Sequence, residues 1–206
     1  PCRDGPQNRR HPPAGANASD AWQMPMKVTL ASGSPQREEI LRKLGVDFEV
    51  VVPGVEELTE GDPDHLVIEN ARRKAEAVAV DGLVIACDTD VVLDGEVLGK
   101  PADEAEARVY LGRMSGRAHT VMSGLVVTEA STEPSPDAAG RFRSGVERTT
   151  VVFKQLTGAE KERYVRFGEW RGRSGGYAIQ TLGSTLVERL EGSVSNVVGL
   201  PVGLLA

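Results

Sequence analysis

"TLASGSPQREEILRKLG", residues 29–45, demands two backbone geometries in quick succession. Lys27 to Ala31 reads as a short strand. Gln36 to Leu44 places Ile40, Leu41 and Leu44 on one face of a helix, which Gly45 then stops. A strand that feeds straight into a helix is the building unit of an α/β fold. The junction is chemically specific. Ser34 is a good N-cap, Pro35 suits the first helical position, and Gly33 lets the backbone come close to a ligand. Together they predict an anion site at a helix N-terminus. Arg37 stands in the first helical turn, where the macrodipole disfavours a cation. A phosphate between helix and guanidinium removes the conflict, since Arg37 then supplies a bidentate fork. The alternative is a plain strand-turn-helix in which Arg37 is solvated and paired with a nearby glutamate.

Outward from this stretch, strands and helices alternate. Phe48 to Val52 predicts a second strand, and Asp64 to Val80 a helix whose apolar face holds Leu66, Val67, Ala71, Ala75 and Val78. Leu83 to Cys87 is wholly apolar, as in a strand buried on both faces. "VVLDGEVL" predicts a hairpin with Asp94-Gly95 as a type I′ turn. A helix over Asp103 to Met114 follows, stopped by Gly116, and then a strand over His119 to Val127. Residues 128–145 read as a flexible hairpin connection, with strand character resuming at Thr149 to Phe153. Thr157 and Glu160 form a capping box for a helix that ends at Phe167 before Gly168. The remainder, including "STLVERLEG" and "NVVGLP", reads as glycine-rich and β-like.

The chain has 206 residues, enough for one sizeable core. Its 30 acidic and 24 basic residues argue against broad affinity for nucleic acid or anionic membranes. The two cysteines, Cys2 and Cys87, provide neither a disulfide framework nor zinc spacing, so a reducing cytoplasm is the expected compartment. No apolar run is long enough to span a membrane. Residues 1–25 are rich in Pro, Gly, Asn and Arg and predict a disordered tail, with residues 26–206 as one domain and Met26 as the expected biological start.

Asp88 directly follows the apolar run, and the carboxyl end of a buried strand is where open α/β sheets bind ligands. Counting outward from the Asp94-Gly95 turn sets Thr89 opposite Lys100, which brings Lys100 back towards Asp88. A regular hairpin would put Asp88 on the other face from Thr89 and Lys100, so a site using all three needs a bulge or a strong twist. Glu57 in "VEEL" and Lys74 in "NARRKAEA" carry no local signal beyond solvated faces. "RGRSGG", residues 171–176, interleaves glycine and arginine in a way that can wrap phosphates. The scattered histidines support neither a zinc site nor a triad, and His119 reads as structural.

Six segments in order, "LASGSPQREEIL", "ARRKAEAV", "ACDTDVVLDGEVLGKP", "GRAHTVMSG", "GGYAIQ" and "GSVSNVVGLP", resemble the Maf family of nucleoside triphosphate pyrophosphatases, formerly described as septum-formation inhibitors. The resemblance implies a Maf/ITPase-like α/β fold, an elongated mixed sheet between two lobes with a nucleotide cleft. It implies hydrolysis of a nucleoside triphosphate to the monophosphate and pyrophosphate with a divalent metal, Mg²⁺ or Mn²⁺, in a cytoplasmic homodimer. By position, Asp88 looks like the proton acceptor, with Lys100 beside it. Ser34, Arg37 and Lys74 look like phosphate-contacting groups, and Glu57 like an acidic residue that with Asp88 could hold the metal. Thr89 and Gln180 match the base-selecting positions of the branch acting on dTTP and UTP. Gln36 stands where that branch usually has Arg, and Gly172 where the family usually has Asp. The competing expectation is a nucleotide-binding regulator of cell division with little turnover.

Overall fold

The computed structural model describes residues 27–132 and 142–206, so the expectations for the tail and for the tip of the long connection lie outside the described residues. The opening stretch folds as its sequence demands, into β1 (Val28–Ala31) and α1 (Pro35–Lys43). β2 (Glu49–Val51) and α2 (Pro63–Glu76) follow. α2 is shorter than the apolar pattern suggests, because Val78 and Val80 are buried or packed from beyond the helix end.

β3 (Gly82–Leu93) then runs for twelve residues, turns through Asp94-Gly95 and returns as β4 (Glu96–Leu98). Both turn residues have positive φ, 55° and 82°, as the type I′ hairpin requires. α3 (Glu104–Met114), β5 (Ala118–Ala130) and β6 (Phe142–Phe153) complete the centre. Residues 128–130 and 142–145 therefore belong to a long antiparallel ladder rather than to a loose connection. α4 (Gly158–Phe167) has the predicted capping box, with both reciprocal bonds between Thr157 and Glu160. β7 (Val187–Glu191) is followed by two short helices, α5 (Val194–Val198) and α6 (Val202–Leu205). The helix α5 overturns the β-like reading of "NVVGLP". Ser193 caps it, and the buried Asn196 ties it to Val121 O and Thr149 Oγ1, so tertiary bonds override the β-branched run.

Among the described residues, the seven strands form one mixed sheet in the order β2-β1-β3-β5-β6-β7, with β4 attached to β3. β1 is parallel to both β2 and β3, and the other pairings are antiparallel. Two lobes share this sheet. One packs α2 against Ala31, Val84, Ala86 and Val126 on one face, with Leu41 and Leu200 against Leu30, Ile85 and Cys87 on the other. The second lobe packs Ala107, Leu111 and Met114 of α3 and Tyr164 of α4 against Val91, Val121 and Phe153.

Candidate active site

The site arises from a gap in the strand ladder. Along one edge β3 pairs with β5 in unbroken register from Gly82 to Val92. Along the other edge, β1 stops at Ala31 opposite Ala86, and β4 reaches back only to Leu98, its last residue, opposite Val91. Residues 87–90 thus have an open edge. Asp88 lies inside a long strand, not at its carboxyl end as its place directly after the apolar run suggests. The strand that ends here is its parallel neighbour β1. No bulge is needed to bring Asp88, Thr89 and Lys100 together, because a ligand at an open edge meets both faces of the strand. The pairing with β4 ends at Leu98, so Thr89 and Lys100 are not ladder partners, and Lys100 leaves the sheet.

A cleft of about 510 Å³ opens at this gap, and Ser34, Gln36, Arg37, Glu57, Lys74, Asp88, Thr89, Lys100 and Gln180 all line it. On the α2 side, Lys74 Nζ is 2.5 Å from both Asp88 Oδ1 and Glu57 Oε1, and Lys100 Nζ is 2.8 Å from Glu57 Oε2. Burial pushes the Glu57 carboxyl up, but hydrogen bonds and charge from Lys100 and Lys74 outweigh it and hold it at about 2. Asn70 completes this arrangement, and nothing in the sequence reading singled it out. Its Nδ2 donates to Asp88 Oδ2 at 3.1 Å and to Leu58 O at 3.0 Å, while its Oδ1 accepts from Leu58 N. The available signal was position: Asn70 precedes Lys74 by one helical repeat, on the face that buries Val67 and Ala71.

On the opposite face Arg37 is buried, neither solvated nor paired with glutamate. Its Nε donates to Gly199 O at 2.7 Å, Nη1 to Ser32 Oγ and Nη2 to Thr89 Oγ1, each at 3.2 Å. Two of its five N–H donors remain for a ligand. Ser34 occupies the N-cap position of α1, but its hydroxyl donates to Gln36 Oε1 at 3.1 Å instead of capping. The first turn of α1 is therefore left without a side-chain cap at the wall of the cleft. Thr89 Oγ1 also lies 2.7 Å from Ser123 Oγ and 3.3 Å from Gly199 O, so it is committed within the protein. Gln180 is exposed and has no partner among the described residues. His119 is structural, stacked edge-on against Phe153 and bonded through Nε2 to Tyr177 Oη at 2.8 Å.

A third carboxylate, Asp90, also escaped the sequence reading. Ser174 Oγ sits 2.9 Å from Asp90 Oδ1, 2.8 Å from Leu98 O and 3.3 Å from Val91 N. The Ser174 hydroxyl is placed to donate to either Asp90 Oδ1 or Leu98 O, and its oxygen accepts from Val91 N. Burial and the neighbouring Asp88 charge push the Asp90 carboxyl up to about 6.

Among the described residues no cluster of three or more His, Cys, Asp or Glu is placed to cage a metal. Asp88 and Glu57 still fit a hard divalent cation. Each accepts one hydrogen bond per oxygen, which leaves lone pairs, and such cations bind through one or two carboxylates plus substrate phosphates.

Fold and site together define an α/β protein with a cationic cleft at an interrupted sheet edge, suited to a phosphate-bearing ligand. The chain belongs to the Maf-like protein family, whose model matches residues 27–206. A Deinococcus radiodurans protein named dTTP/UTP pyrophosphatase is 48% identical over 183 residues, 87% of this chain and 89% of that protein. Proteins of the same name from Pelotomaculum thermopropionicum and Dictyoglomus thermophilum are 43% and 40% identical, each over 87% of this chain and 93% and 92% of their own lengths. The solved structure of the Staphylococcus aureus Ham1 protein aligns with a TM-score of 0.43 and 18% identity over 62% of this chain and 71% of that one. That likeness is too distant to carry a functional argument.

Proposed function

We propose that this protein hydrolyses a nucleoside triphosphate to the monophosphate and pyrophosphate at the open edge of β3, with dTTP and UTP as preferred substrates. The observation that carries the reading is the convergence on one cleft of Asp88, Lys74, Glu57, Lys100, Arg37 and the uncapped start of α1. These residues come from five separate segments of a chain whose relatives bear that enzyme name.

Asp88, held by Lys74 and Asn70, is oriented to accept a proton from a water directed at the α-phosphorus. The water oxygen bonds to that phosphorus, the bridge to the β-phosphate breaks, and pyrophosphate leaves with the electron pair. General-base help of this kind contributes on the order of 10² to 10⁴ in rate. Arg37 and Lys100 meet the charge of the polyphosphate. One lysine about 4 Å from a phosphate oxygen attracts it by about 4 kcal/mol at an effective dielectric near 20, before desolvation. A divalent metal, Mg²⁺ or Mn²⁺, would be held by Asp88 and Glu57 together with the substrate's phosphates, and would supply charge neutralisation. Gln180 and Gln36 offer amide donors and acceptors to a base edge. Thr89 acts on phosphate binding through the placement of Arg37. The reading carries with it a cytoplasmic homodimer, and the buried free thiol of Cys87 supports a reducing compartment.

Pyrophosphate release across a panel of canonical and modified triphosphates with Mg²⁺, beside Asp88→Asn, tests this reading. Turnover greatest for dTTP or UTP and abolished by the substitution is the expected outcome. Preference for another base would implicate Gln36. Binding without turnover would overturn hydrolysis and leave a nucleotide-binding regulator.

A further inference from the structure

Five cations line the cleft, and four are engaged by the protein. Arg37 holds Gly199, Ser32 and Thr89, Lys74 lies between Asp88 and Glu57, and Lys100 is on Glu57. Arg171 stacks on Trp170 and pairs at 3.7 Å with Glu104. The fifth, Arg173, has no side-chain hydrogen bond or ion pair among the described residues, although it is only partly exposed.

The backbone beneath Arg173 is fastened on both sides. Arg173 N donates to Trp170 O at 3.1 Å, Gly176 N donates to Arg173 O at 3.0 Å, and Gly175 N donates to Gly99 O at 2.9 Å. Ser174 supplies the strongest tie. Its hydroxyl is inserted between Val91 N and Leu98 O, bridging the end of the β3–β4 ladder, and Asp90 braces it from the side. The loop is thus pinned where β4 ends, and α1 starts just beyond the end of β1. These are the two borders of the open edge that carries Asp88. A cation with free donors on a fixed backbone is pre-organised for an anion, because little ordering remains to oppose binding.

We propose that Arg173 is a further substrate-binding residue, which takes a phosphate of the substrate's polyphosphate from the border opposite the α1 N-terminus, and that Ser174 is its positioning residue. The ligand class rests on the pyrophosphatase reading, so the test measures binding apart from turnover. Inorganic pyrophosphate is titrated calorimetrically, at fixed Mg²⁺, into the full chain and into Arg173→Gln, Arg173→Lys and Ser174→Ala.

Arg173→Gln is expected to weaken pyrophosphate binding by about tenfold or more, the loss of one charge-assisted hydrogen bond. Arg173→Lys should regain a large part of that loss, which a purely structural fault would not allow. Ser174→Ala should weaken binding several-fold with every charge retained. Affinity of Arg173→Gln within about twofold of the parent, no recovery in Arg173→Lys, or no pyrophosphate binding by the parent protein overturns the assignment of Arg173. Unchanged binding by Ser174→Ala overturns the positioning role. If the parent releases no pyrophosphate from any triphosphate, the hydrolase reading falls, and the titration still decides Arg173.

Discussion

Asp88 and Thr89 are consecutive residues of β3 whose side chains contact opposite faces of the sheet, yet both line one cleft. Asp88 meets Lys74 and Asn70 of α2, and Thr89 meets Arg37 of α1 and Ser123 of β5. The pleat separates them and the missing edge partner reunites them. The same strand can therefore present an acid to one side of a substrate and an arginine-held hydroxyl to the other.

Thr89 works through Arg37, so its loss should act on binding without changing the choice of base. Thr89→Val leaves the Arg37 Nη2 donor short of an acceptor, at a cost of about 1–3 kcal/mol in stability. Steady-state kinetics should show KM rising for dTTP and for a purine triphosphate alike. Gln180→Ala should shift the ratio of the two substrates. A changed ratio in Thr89→Val would place its hydroxyl on the base instead.

Lys74 compensates two carboxylates in a site where its own side chain and that of Asp88 are 9% and 8% exposed. Lys74→Met strands Asp88 in low dielectric, and breaking a buried pair in this way costs about 3–5 kcal/mol. Urea unfolding should show that loss. Combining Lys74→Met with Asp88→Asn should restore part of it, because the second change removes the uncompensated charge. A double variant no more stable than Lys74→Met would mean that packing, not charge, sets the loss.

What was legible in the sequence was local. The strand-turn-helix at 29–45, the Asp94-Gly95 turn and the Thr157/Glu160 capping box each rest on residues within a few positions of one another, and each forms as read. What was missed depends on partners far along the chain. Asp88 looks like the end of a strand until β5 is seen pairing with it and on through Thr89 and Asp90. Asn70 reads as a solvated helix residue until Asp88 arrives 18 residues later, and Asp90 meets Ser174 across 84. The convergence of Glu57, Lys74, Asp88 and Lys100 was likewise invisible to spacing. The resemblance to a family supplied them one by one, and the interrupted ladder explains why they share a site.

Gly124 faces Asp88 in the β3–β5 register, and a Cβ there would lie 2.3 Å from Val67 O of α2. Val67, Asn70 and Lys74 lie on one face of α2, so this close approach is what lets Asn70 and Lys74 reach Asp88. Gly124→Ala must push the helix outward. It is expected to destabilise by about 1–3 kcal/mol, as overpacking does, and to lower kcat more than it raises KM. Unfolding and steady-state kinetics on one preparation check both. Stability lost with kcat intact would show that the Lys74–Asp88 geometry tolerates the shift.

Stability against pH should hide two opposed titrations. Burial pushes His119 down from 6.5 to about 4, so between those values the unfolded chain binds a proton that the folded chain refuses. Taken alone, His119 makes stability fall on acidification through that window. Burial and Asp88 push Asp90 up from 3.8 to about 6, so there the folded chain binds the extra proton, and Asp90 makes stability rise on acidification. The shifts are similar in size and the windows overlap, so the parent protein should be nearly flat from about pH 6 to 4.5. Below that, Glu57, held at about 2, adds a loss as its charge is neutralised. Asp90→Asn should unmask His119, with stability falling by up to about 1.4 kcal/mol per pH unit on acidification. His119→Gln should unmask Asp90 with the opposite slope. Denaturant unfolding of the three proteins at several pH values reads this directly, and equal slopes in both variants would show that these two groups do not govern the profile.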